Sequence, residues 1–211
     1  MGNLDLITII IIAANVIISY KGFDDYSFFD KYKFHIGGVQ RGEQMRLFSA
    51  GFLHVDQQHL LFNMITLYFF SSRVIFELGN MGFLMIYVGS LLFGNLLSLY
   101  FHKNEYNYSA VGASGAVMGV IYSAILFDPW MKINFFIPGF VFGIGYLLYS
   151  IYGMKKRVGN IGHDAHFGGA IGGYVITLIL SPWLFEADLL IVGLLAVPIV
   201  ILFLLKKMGK M

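Results

Sequence analysis

Apolar residues run through this chain in blocks close to the 17 to 25 or so that a helix needs to cross the hydrocarbon of a bilayer, with polar residues gathered in the gaps. Seven such blocks are predicted as helices, at about 4–20, 59–76, 82–101, 114–127, 133–152, 165–182 and 189–205. The first is expected to remain in the mature protein. No Lys or Arg precedes its apolar core, and Asp5 stands where a signal peptide would carry positive charge.

The gaps are short except for 21–53, where Phe23, Tyr26, Phe28, Phe29, Tyr32 and Phe34 alternate with Lys21, Asp24, Asp25, Asp30, Lys31 and Lys33. Rings interleaved with charges suit a segment lying in the headgroup region, rings in the interface and charges in water. The fourth block is short and the sixth is rich in glycine. Gly115 and Gly119 are four apart, as are Ala165 and Gly169, Gly168 and Gly172, and Gly169 and Gly173. Small residues at that spacing let helix backbones approach closely in lipid, so these two helices are expected to touch.

Composition agrees with the pattern. The 211 residues are 58% hydrophobic and 12% charged, with a mean hydropathy of +0.74, whereas a soluble domain carries roughly 25% charged residues. The fold class is therefore an all-α, polytopic membrane protein. There is no cysteine, which excludes disulfides, thiolate metal sites and a thiol nucleophile. The net charge of +2 forms no basic stripe, so no nucleic-acid partner is expected; membrane lipid is the expected surroundings.

Chemistry must then come from Ser, His, Asn, Asp and Glu. Ser114, flanked by Gly112 and Gly115, opens the fourth helix after the polar run holding Asn104, Glu105, Asn107 and Ser109. Serine is also ordinary packing material between membrane helices. At a helix start, however, free backbone N–H groups and the positive dipole end favour a developing oxyanion. His166 opens the sixth helix, which runs in the same direction as the fourth. The two side chains are thus expected at one depth near one face, where a neutral imidazole could take the serine proton and later deliver it to a leaving amine. His59 and Asn63, at i and i+4, share one face of the second helix, which enters from that same side. Both can donate hydrogen bonds to an oxyanion, although an asparagine can equally bond a neighbouring helix.

Other intramembrane chemistries fit less well. There is no His-Glu-x-x-His, and Asp5, Asp128, Asp164 and Asp188 all fall near helix ends instead of pairing in the membrane. His54, Asp56, His59, His163 and His166 match no standard metal spacing. No metal and no cofactor is expected.

Over nearly the whole chain the pattern resembles the rhomboid intramembrane serine proteases. Gly112-Ala113-Ser114-Gly115 is similar to their G-x-S-G nucleophile motif, and His59-Leu60-Leu61-Phe62-Asn63 to their H-x-x-x-N motif. Ala165-His166-Phe167-Gly168-Gly169, followed by Gly172 and Gly173, is similar to the segment bearing the catalytic histidine. Arg46 matches the arginine of a first-loop motif, His54 a further, structural histidine, and Glu77-Leu78-Gly79 the sequence after the second helix. The resemblance implies a single rhomboid-like domain over 1–211: a six-helix core over about 4–182 and a seventh helix at about 189–205. It implies a Ser114/His166 dyad with no acidic third member and an oxyanion site made by His59, Asn63 and the Ser114 N–H. Its substrates would be single-span membrane proteins cut in or next to their transmembrane segments, and its place a bacterial inner membrane. A proteolytically silent client-binding relative and a transporter lined by histidines are the alternatives.

Two positions depart from the family. Met118 stands where an aromatic usually packs on the catalytic imidazole, and Met45 where a tryptophan usually precedes Arg46. Orientation is in conflict as well. The family dyad opens away from the cytoplasm, which leaves only Arg73 and Lys132 of the 14 cationic residues inside, against the positive-inside rule.

Overall fold

The computed structural model describes residues 5–133, 136–159 and 161–211. Leu4, the first residue of the first predicted helix, lies outside them. The chain is a helical membrane bundle, and it begins with α1, Leu6–Asp24. The segment after α1 is folded, not a plain loop. Asp25 caps α2 (Tyr26–Tyr32) by accepting from the Phe28 N–H at 3.0 Å. Strand β1 (Phe34–His35) follows, then α3 (Ile36–Gln40), α4 (Arg46–Ser49) and a 3₁₀ turn over Ala50–Phe52.

Helix α5, Gln57–His102, has 46 residues and contains the second and third predicted helices. A straight helix of that length would span about 69 Å, far beyond a bilayer. Gly79 breaks it at φ 68°, ψ 178°, a conformation open to glycine but not to side-chain-bearing residues. Both ends of α5 consequently lie beside the loop that precedes α6. That loop carries β2 (Ser109–Ala110), paired antiparallel with β1 through Phe34 with Ala110 and His35 with Ser109. Helix α6 is Ser114–Phe127, as the hydropathy pattern predicts.

The fifth block is corrected. Residues predicted as helix from 133 instead form part of a short antiparallel ladder, β3 (Lys132–Ile133) with β4 (Ile137–Pro138), and α7 starts only at Gly139 and ends at Lys156. Pro138 explains the boundary, because a proline disfavours helical geometry in the residue before it and is well placed at a helix start. Helix α8 covers His163–Leu180, two residues earlier at each end than the predicted 165–182, and leaves Pro182 outside. A short α9 (Leu184–Ala187) leads to α10, Leu189–Lys207, whose N-terminus is capped by Asp188. Among the described residues α1, α5 and α10 are long and apolar enough to cross a membrane, and α6 is a shorter apolar helix.

Every residue of α6 from Gly115 to Phe127 is buried, so this helix is the axis of the bundle. Its neighbours are the second limb of α5 and α8, and all three meet through glycines. A Cβ on Gly169 would overlap the Gly115 carbonyl, and one on Gly173 the Gly119 carbonyl. A Cβ on Gly168 would sit 2.6 Å from the Phe93 carbonyl, and one on Gly94 2.7 Å from the Ala165 carbonyl. In lipid no water is released when helices join, so dispersion at backbone contact must hold them. Buried polar pairs add direction. The Thr177 hydroxyl donates to Ser123 at 2.7 Å, Tyr122 to the Gly143 carbonyl at 2.7 Å, and Tyr174 to the Val192 carbonyl at 2.9 Å.

Gly169→Ala is expected to destabilise the protein by about 1–3 kcal/mol through overpacking. Gly145→Ala, on α7 with no atom of the described residues within 4 Å of the added methyl, is expected to be neutral or slightly stabilising. Unfolding of both variants in mixed micelles checks the pair; equal effects would remove the packing role assigned to Gly169.

Candidate active site

Parallel packing of α6 and α8 fixes where their first residues lie. Gly115 meets Gly169 and, one turn on, Gly119 meets Gly173, so the two helices advance together from the same side. Ser114 is the first residue of α6, and His166 is in the first turn of α8. Both are half-buried. A 14-residue α6 is about 21 Å long, short of the ~30 Å hydrocarbon core, so a serine at its start can lie below the membrane surface.

The loop bearing Ser114 is held tightly. Gly112 has φ +132° and donates its N–H to the Ala50 carbonyl at 3.0 Å. A methyl group there would stand 2.6 Å from Cε1 and 2.9 Å from Nε2 of His59, and 3.6 Å from Ser114 Oγ. Glycine is therefore required twice over, by the backbone angle and by the imidazole against it. His59 and Ser114 thus flank the same α-carbon.

His54 lies in the turn before α5, outside the spanning helices and fully buried. Its Nε2 accepts the Ala113 N–H at 3.4 Å, which places the ring proton on Nδ1, 2.8 Å from Ser19 Oγ. The Ser19 hydroxyl in turn donates to the Phe52 carbonyl at 2.9 Å. This relay joins α1, the 3₁₀ turn and the residue before Ser114. Burial pushes the His54 pKa down to about 3, in keeping with a neutral ring.

On α5 the N-terminus is capped by Asp56, whose carboxylate accepts the His59 N–H at 2.7 Å. Asn63 is buried and gives one amide proton to the His59 carbonyl at 3.0 Å, which leaves its second N–H for another acceptor. Among the described residues, His59 Nδ1 is buried without a partner. Arg46 stands further off, in the first loop. It donates to the carbonyls of Asp30 and Lys33 at 2.7 and 2.9 Å and to Glu43 at 2.5 Å, so it closes the C-terminal end of α2. Arg46 also holds the Glu43 carboxyl below its ordinary pKa. Met118 is buried in the α6 core, one turn after the serine.

Sequence reasoning missed one partner. The described hydrogen bond of the His166 ring goes to Tyr146 of α7, Oη to Nδ1 at 2.6 Å, and not to Ser114. Tyr146 lies in an apolar run with Tyr149 and Tyr152, and the available signal was only the general one that a buried phenol hydroxyl needs a partner. Asp164, two residues before His166, is turned to His102 Nε2 at 3.5 Å. His102 itself stacks on Tyr108 with ring centroids 3.6 Å apart.

Comparison with known proteins identifies the family. Residues 41–183 match the family model described as the Rhomboid domain. The mitochondrial RHOMBOID-like protein 12 of Arabidopsis thaliana is 25% identical over 190 residues, covering 81% of this chain and 56% of that protein. Rhomboid protease GluP of Bacillus subtilis (strain 168) is 30% identical over 136 residues, 64% of this chain and 26% of its own length. The putative rhomboid protease YdcA of the same bacterium is 31% identical over 142 residues, 67% of this chain and 70% of that protein. This chain therefore spans only part of the first two relatives.

The neutral His54 sets a pH dependence. Its folded-state pKa of about 3 lies below the ordinary 6.5, so between those values the unfolded chain holds the extra proton. Stability contributed by this site is expected to fall by about 1.4 kcal/mol per unit as pH drops below 6.5. Unfolding of wild type and His54→Gln across pH 4 to 8 checks it. Parallel curves for the two proteins would remove His54 as the source.

Proposed function

The chain belongs to the rhomboid family, and on that footing we propose that it is an intramembrane serine endopeptidase, with Ser114 as nucleophile and His166 as general base and then acid. The observation that carries the reading is the backbone contact of Gly115 with Gly169, which sets the first turns of α6 and α8 side by side. Ser114 Oγ attacks the peptide carbonyl and passes its proton to His166 Nε2. The imidazolium then delivers that proton to the leaving amine, and water repeats the sequence to release the acyl half.

The oxyanion is met by the Ser114 N–H, by the free amide proton of Asn63 and by His59 Nε2, whose ring lies against Gly112. Substrates are membrane proteins with a single span, opened locally so that an extended strand reaches the recessed serine. The two Bacillus relatives named as proteases support a bacterial inner membrane as its place.

The test is cleavage of a panel of tagged single-span substrates by purified protein in liposomes. Ser114→Ala and His166→Ala are each expected to lower the rate at least about a thousandfold, and Asn63→Ala about a hundredfold. Absence of product from wild type, or undiminished cutting by Ser114→Ala, would sink the reading. Substrate transport that survives Ser114→Ala would favour the transporter, and client binding without cutting the silent relative.

We take the site to open away from the cytoplasm, as the family resemblance implies, although of 14 cationic residues only Arg73 and Lys132 then lie inside. Single cysteines at Asn104 and Lys155 are expected to react with an impermeant thiol reagent in intact cells, whereas one at Lys132 is not. The reverse pattern would turn the protein over and restore the positive-inside count.

A further inference from the structure

The histidine proposed as base needs its Nε2 free of hydrogen, which requires the ring proton to sit on Nδ1 and to have an acceptor there. A carboxylate often serves. Here the nearest one in sequence, Asp164, is engaged by His102, and the His163 ring reaches the Val158 carbonyl at 3.2 Å. The group at His166 Nδ1 is the phenol oxygen of Tyr146, 2.6 Å away, with the two rings 6.1 Å apart and inclined by 33°. Phe142, one turn earlier on α7, stacks on the Tyr146 ring at 5.8 Å and 24°.

We propose, resting on the protease reading above, that Tyr146 is a positioning residue for His166: its phenol oxygen accepts the Nδ1 proton and so keeps Nε2 open for the proton of Ser114. In the acylation step the Ser114 O–H bond breaks as Oγ bonds the carbonyl carbon, and the proton goes to Nε2. The Nδ1–H of the resulting imidazolium stays on the Tyr146 oxygen. When the C–N bond breaks, the Nε2 proton leaves on the amine. Tyr146 keeps its own proton throughout and acts only through His166.

The opposite sense of the same bond is chemically distinct. A phenol donating to Nδ1 would put the ring hydrogen on Nε2, and such a histidine could not accept from serine. Tyr146 supplies from α7 what the usual aromatic one turn after the serine supplies by packing, and Met118 at that position is thereby accounted for.

Tyr146→Phe keeps the ring and removes only the oxygen, so folding is expected to be preserved. Its kcat is expected to fall about 10- to 100-fold with KM nearly unchanged, as for loss of one hydrogen bond to a group that becomes charged. The second readout is ¹⁵N NMR of ring-labelled histidine in liposomes, with His166→Ala used to identify the signal. Wild type should show His166 chiefly with hydrogen on Nδ1, and Tyr146→Phe should shift the population toward Nε2. A wild type that cuts no substrate overturns the protease reading, and this role with it. A wild type that cuts, with Tyr146→Phe within about twofold of it in kcat or with the tautomer population unmoved, overturns the role of Tyr146 alone. Hydrogen found mainly on Nε2 in active wild type would reverse the sense of the bond and overturn it as well.

Discussion

The contact of α6 with α8 at the level of their backbones is the constraint on which the rest depends. Where Gly169 meets the Gly115 carbonyl, and Gly173 the Gly119 carbonyl, no side chain separates the helices. In water such a contact would contribute little apolar burial, but in lipid close approach is itself the source of attraction. It also determines depth. Two parallel helices locked one turn apart bring their first residues to a common level, and the shortness of α6 draws that level inward. Larger residues at 115 or 169 would push apart the first turns of α6 and α8, which carry Ser114 and His166.

A second set of contacts fixes the serine loop from the opposite side. His54 binds the Ala113 N–H, Gly112 binds Ala50, and Ser19 of α1 completes the relay. Each donor in this chain has an acceptor, which is what a buried polar network needs to favour one arrangement. The first loop is anchored separately, by Arg46 on the carbonyls of Asp30 and Lys33. Met45 is two-thirds exposed at 67%, so anchoring at this point comes from the guanidinium and not from its neighbour.

Much of this was legible in the sequence, for physical reasons. Hydrophobic blocks of membrane-spanning length mark the helices, with α6 matching its predicted bounds, and glycines four apart mark the α6–α8 contact. The break at Gly79 was legible as two blocks but not as a sharp reversal, because hydropathy reports burial and not the backbone angle. The start of α7 was misplaced because 133–138 is apolar enough to read as helix, while Pro138 decides otherwise. Tyr146 stayed hidden for a different reason. Whether a tyrosine in an apolar helix faces lipid or a histidine on another helix depends on rotation about the helix axis, and α7 carries Tyr149 and Tyr152 as equal candidates.

That a phenol and not a carboxylate meets His166 follows the physics of the medium. An ionised carboxylate taken out of water costs several kcal/mol unless charge and hydrogen bonds surround it, and a pair formed only when the imidazole is charged would leave it uncompensated in the resting state. A phenol is neutral throughout, so its burial carries no penalty for desolvating a charge. In the proposed reaction, the help it gives the imidazolium is correspondingly smaller than that of an anion. The chain's own acid in this region, Asp164, has His102 as its partner, and His102 is further held by stacking on Tyr108. The acid of this region is thereby turned toward the end of α5, away from His166.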